Sequence, residues 1–115
     1  MLSAIALCIT SIHDGDSVRL CDGTRVRLVS AHGAIDAPEL RGSPSCGPRA
    51  RGRHNCDYVA GEAARAALVR LLAGSGTIDC RGFDQYRRSL CTIRVNGRDV
   101  GDTMVAGGYA VRREW

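Results

Sequence analysis

The sequence contains no lysine; all of its 16 basic residues are arginine. Aromatic residues are scarce, at 4%, so a core must be assembled mainly from Val, Ile, Leu and Ala. No apolar run approaches the roughly 20 residues that cross a bilayer, which argues against a helical membrane protein and a membrane partner. There is no CxxC pair and no Cys/His cluster at zinc-finger spacing. Cys46, His54 and Cys56 come nearest to one. Neither an internal repeat nor a linker divides the chain, so residues 1–115 are expected to form a single domain. The apolar start, Met1–Ile9, lacks a basic leader region and a cleavage signature. It reads as a first strand, with any export signal removed or replaced by Met1.

What is present describes a folded, basic protein. Hydrophobic residues make up 44% and charged residues 24%, against disorder, and the net charge is +4. Arginines cluster at Arg41, Arg49, Arg51 and Arg53 and in the adjacent pairs Arg87–Arg88 and Arg112–Arg113. A guanidinium makes forked contacts with phosphate that an ammonium does not, so this composition suits a polyanionic partner as well as a coding bias. Six cysteines stand in a short-long-short-long-short spacing. That spacing favours the local pairs Cys8–Cys21, Cys46–Cys56 and Cys80–Cys91. Three disulfides imply an oxidising compartment, periplasmic or secreted.

Residues 4–12 form a β-branched apolar run that reads as a buried strand, broken by the turn residues 13–17. Alternation from Val18 to Val29 is centred on Asp22-Gly23, a tight-turn dipeptide. Residues 30–33 and the stretch from Ala37 through Arg53 read as loops. A helix is predicted from Tyr58 to Ala73, with Asp57 as its N-cap and Gly74 as its stop. Short strands follow at Thr77–Arg81 and Leu90–Val95, then an Asn96-Gly97 turn, a strand at Arg98–Val100 and a second helix at Gly101–Ala106. The order predicts a mainly β protein with helices (α+β), a five-stranded OB-type barrel with one firm helix and a second short one.

Two acidic turns carry the sharpest chemical signal: Asp14-Gly15-Asp16-Ser17 after the first strand and Ile35-Asp36-Ala37-Pro38-Glu39-Leu40 after the third. Turns use Asp and Gly for their own sake. Two such loops at neighbouring strand ends also offer the carboxylate and carbonyl oxygens that Ca²⁺ takes. With VRL at 26–28, DQYRR at 84–88 and MVAGGYA at 104–110, the motifs in this order resemble the staphylococcal-nuclease-like (thermonuclease) family over nearly the whole chain.

The resemblance implies an OB-type barrel and Ca²⁺-dependent hydrolysis of DNA and RNA, leaving 3′-phosphates. By the same likeness Asp16, Asp36 and the Ala37 carbonyl would hold calcium, and Glu39 would activate or position water. Arg27 and Arg88 would bind the phosphate, with Asp14 and Ser17 supporting the first loop and Tyr86 ordering the Arg88 loop. An inactive OB-fold module that binds nucleic acid is the alternative. A disulfide-stapled domain serving protein contacts is a third reading; no obligate protein partner is evident.

Three features depart from the family's pattern. Four extra residues, Ala31-His32-Gly33-Ala34, separate Arg27 from Asp36. Extended in line they would displace Asp36 by about 13 Å, so they are expected to loop out. They also leave room for segment exchange into a dimer, and His32 within them is expected to be a solvated loop residue. Arg87 stands where the family usually has glycine. The sequence given stops at Trp115, and Tyr109 and Trp115 are expected to pack rather than stack on bases.

Overall fold

The computed structural model describes residues 5–48 and 54–113. Arg49, Arg51, Arg53 and Trp115 lie outside the described residues. The chain forms β1 (Ile5–Ala6), β2 (Ile9–Asp14), β3 (Ser17–Leu20), β4 (Arg25–Ser30) and β5 (Gly33–Asp36). A 3-10 turn (Pro44–Cys46) and helix α1 (Tyr58–Leu71) follow, then β6 (Gly76–Phe83), β7 (Ser89–Val95), β8 (Arg98–Asp99), α2 (Val100–Ala106) and β9 (Val111–Arg113).

This is an α+β fold, as expected, a curled mixed half-barrel with two helices; the five-stranded barrel expected does not close. The sheet runs β1-β6-β7-β4-β3-β2, with β5 joined to β4 and β9. Its end strands, β1 and β2, are consecutive in the chain. Where they meet, the Leu7 N–H donates to the Gly76 carbonyl on one side, and the Cys8 carbonyl accepts from Cys21 on the other. Chain continuity, rather than a strand ladder, therefore joins the two ends. The predicted buried strand at 4–12 is correspondingly split, and Ile5 is 64% exposed. Among the described residues, only β4 and β7 pair in parallel, bringing Arg27 opposite Leu90.

Alternation drives the core. In β7, Ser89, Cys91, Ile93 and Val95 point inward, and they meet Val26, Leu28 and Ile78 from neighbouring strands. Helix α1 closes one end with Ala64, Ala67 and Leu68, and α2 adds Val100 and Met104. Fully burying a Leu or Ile side chain stabilises by about 1.5–3 kcal/mol, so aliphatic residues suffice without aromatics. Asp57 caps α1 by accepting the Ala60 N–H at 3.1 Å. All three expected disulfides form. Cys80 and Cys91 sit directly opposite each other on β6 and β7. Among the described residues, no helix is long and apolar enough to cross a membrane.

The four extra residues loop out as a hairpin rather than a loop of their own. Ala31 and His32 form its turn, while Gly33 and Ala34 pair back onto Ser30 and Val29. His32 is exposed but not merely solvated, because its Nδ1 lies 2.7 Å from Asp102 Oδ2 at the start of α2. Tyr109 packs against the core.

Candidate active site

Both acidic turns rest on helix α1 because two glycines allow it. A Cβ at Gly15 would lie 2.7 Å from the Cβ atoms of both Ala37 and Ala64, and one at Gly61 would overlap the Glu39 carbonyl. The absence of those carbons lets Asp14–Asp16 and Pro38–Glu39 lie side by side on the helix. The Glu39 N–H is held in turn by the Asn55 carbonyl at 2.8 Å, in the segment closed by the Cys46–Cys56 bridge.

Arg27 emerges from β4 between the acidic turns. Its Nη1 is 2.9 Å from Asp16 Oδ1, and its Nη2 donates to the Ile35 carbonyl at 2.7 Å and to Asp36 Oδ1 at 3.3 Å. Asp16 is essentially buried, its Oδ2 accepting the Ala37 N–H at 2.8 Å. Burial pushes its carboxyl up, to about 8, against the downward pull of Arg27, and neighbouring Asp14 adds to the rise. Burial opposes the charge of Arg27, but Asp16 and then Asp36 outweigh it and raise the guanidinium.

Arg88 reaches the same place from the loop between β6 and β7. Asp84 organises that loop through its own carboxylate. It accepts the Tyr86 N–H at 2.8 Å, the Arg88 N–H at 2.9 Å and Arg88 Nε at 2.7 Å. Burial would raise the Asp84 carboxyl, yet these bonds and the Arg88 charge hold it below the usual carboxylate range. Arg88 Nη1 donates to the Ser17 hydroxyl at 3.1 Å, and that hydroxyl donates to Asp16 Oδ1 at 3.2 Å. Ser17 thus links the two arginines' settings. Arg25 clamps the loop from β4 by donating to the Tyr86 carbonyl at 2.7 Å, and Tyr86 lies beneath the Arg88 guanidinium. Arg87 takes a left-handed backbone, φ 63°, a conformation that favours glycine.

Arg27, Asp36, Glu39, Tyr86 and Arg88 line one open cavity of about 930 Å³, with Asp16 directly behind Arg27. Glu39 accepts the Ser43 hydroxyl at 2.7 Å. Sequence reasoning gave no site role to several contributors to this cavity, among them Arg25, the exposed Phe83 and Asp84, and noted Arg113 only as one of the adjacent arginine pairs. Asp84 left a signal, an aspartate four residues before Arg88 in a turn-forming stretch, and Arg113 left another, its place in an adjacent arginine pair.

Among the described residues, no three His, Cys, Asp or Glu side chains gather as a metal centre. Cys46 and Cys56 are spent on a disulfide. The oxygens of Asp16 and Asp36, with backbone carbonyls nearby, suit a hard cation in type. All four carboxylate oxygens nevertheless accept hydrogen bonds: Asp16 from Arg27, Ser17 and Ala37, Asp36 from Arg27 and Arg113. The residue types fit Ca²⁺, while guanidiniums hold the carboxylates. In comparisons with known proteins, the chain matches no protein-family model and no curated protein.

Proposed function

We propose that the protein is a Ca²⁺-dependent nuclease that hydrolyses DNA and RNA phosphodiesters with little sequence preference. One observation carries this reading: Arg27, Asp36, Glu39 and Arg88, from separate segments of the chain, line one cavity with Asp16 behind them. The OB-type relation of the half-barrel to the thermonuclease-like family belongs to the same proposal. So does a periplasmic or secreted location, which the three disulfides support.

Attack of water on phosphorus, with departure of O5′, builds negative charge on the phosphoryl oxygens. Arg27 and Arg88 are the guanidiniums that stabilise it, each able to present a planar fork to two oxygens. Glu39 takes the proton of the attacking water or holds that water in line. Asp16, Asp36 and the Ala37 carbonyl would hold calcium, which supplies further electrostatic stabilisation of the phosphoryl group. Ser17 and Asp84 position Arg88, and Tyr86 orders its loop.

The test is digestion of single-stranded DNA by oxidised protein in millimolar Ca²⁺ against EGTA, beside Glu39→Gln. Calcium-dependent cleavage, reduced ~10²–10³-fold in the mutant by analogy with loss of an oxyanion donor, supports the enzyme. DNA bound with a steep salt dependence but never cut supports a second reading, a nucleic-acid-binding module without turnover. The guanidiniums resting on Asp16 and Asp36 favour that alternative.

A further inference from the structure

Arg113 stands in the cavity without a part in the chemistry above. It comes from β9, whose Val111 pairs with Asp36 and whose Arg113 pairs with Ala34. Asp36 and Arg113 are therefore diagonal neighbours on one face of the ladder, within reach of a long side chain. Arg113 Nε and Nη2 lie 3.3 and 3.0 Å from Asp36 Oδ2, while Arg27 holds Oδ1. The two grips differ. Arg27 is 11% exposed and anchored by two carboxylates and a carbonyl, whereas the Arg113 side chain is 44% exposed and its described bonds go to that one oxygen. An ion pair so exposed is worth little and is readily exchanged.

We infer that Arg113 is a third phosphate-binding arginine, which rests on Asp36 Oδ2 and exchanges that carboxylate for a polynucleotide backbone phosphate when a divalent cation takes Asp36. This rests on the nuclease reading. Arg113 and a dication repel each other at one oxygen, so occupancy of Asp36 by the ion releases the guanidinium toward the cavity. A phosphate there presents the paired oxygens that its fork matches.

The experiment compares Arg113→Ala and Arg113→Lys in a Glu39→Gln background that keeps the nucleic acid intact. Ca²⁺ affinity is read by calorimetry, and single-stranded oligonucleotide affinity in Ca²⁺ is read across a salt series. Arg113→Ala is expected to bind Ca²⁺ about twofold to fivefold more tightly, the worth of an exposed ion pair. It is also expected to bind the oligonucleotide severalfold more weakly, with a salt slope lower by about 0.7. Arg113→Lys should keep the slope but lose part of the affinity with the fork. Unchanged or weaker Ca²⁺ binding in Arg113→Ala, or an unchanged salt slope, overturns the exchange. If the chain with Glu39 and Arg113 intact cleaves DNA in Ca²⁺, such a result overturns the exchange alone. If that chain does not cleave, the nuclease reading falls and takes the exchange with it.

Discussion

Arg27 grows from a strand inside the sheet, and Arg88 from the end of a surface loop, yet both point at one cavity. Arg27 is locked by the ladder on both sides of β4 and by an ion pair to a carboxylate that is 1% exposed. Arg88 is held by one aspartate, whose bonds create the local turn, and by a hydroxyl. The strand gives accuracy at the cost of commitment, since Arg27 must shift within a buried network to reach a substrate. The loop gives a looser but more available guanidinium. A site that draws one arginine from each foundation gains a fixed reference and an adaptable partner.

The comparison breaks most severely at Arg27. Arg27→Ala takes from buried Asp16 the guanidinium that offsets its burial and leaves Asp36 with Arg113 alone, and should destabilise the fold by about 3–5 kcal/mol, read from urea unfolding. Arg27→Lys should recover part of that stability without rescuing cleavage, because the ammonium lacks the fork. Gly61→Ala comes next. A methyl group pressed against the Glu39 carbonyl should cost about 1–3 kcal/mol and lower activity by moving Glu39. Arg88→Ala, by contrast, should cost under about 1 kcal/mol while lowering cleavage ~10²–10³-fold. Equal stability losses at Arg27 and Arg88 would remove the distinction.

Two smaller effects sharpen the loop side. Asp84 has a folded pKa below its ordinary 3.8, so the folded state binds fewer protons there than the unfolded chain. Its stabilising contribution is therefore full above the ordinary value and is lost as the pH falls through the depressed one. Unfolding midpoints near pH 7 and about pH 3 should show this acid loss, and Asp84→Asn should flatten it. Smallest is Arg87→Gly, which relieves a left-handed non-glycine residue and should raise stability by about 1 kcal/mol in thermal unfolding.

Much of the frame was legible along the chain. Asp22-Gly23 and Asn96-Gly97 mark hairpins, Asp57 caps the helix, and cysteine spacing matches the pairing observed. These signals are local, set by turn chemistry, capping and loop length. The split first strand was not legible, because an apolar run does not tell which of two sheet ends each half will join. Nor was the role of residues 31–34: Gly33 signalled freedom to turn, but pairing of Ala34 with Val29 needs the partner strand in place.

At the candidate site the same division holds. Residue types and order along the chain determined which carboxylates and guanidiniums are available, since these are read from the turns and strand ends themselves. Tertiary structure alone decided their state: that Asp16 is buried, that Arg27 bridges two acidic turns, and that Arg113, 77 residues from Asp36, closes on it. Charge and hydrogen-bonding capacity belong to a side chain wherever it stands, whereas burial and ion pairing belong to the neighbours that folding brings to it.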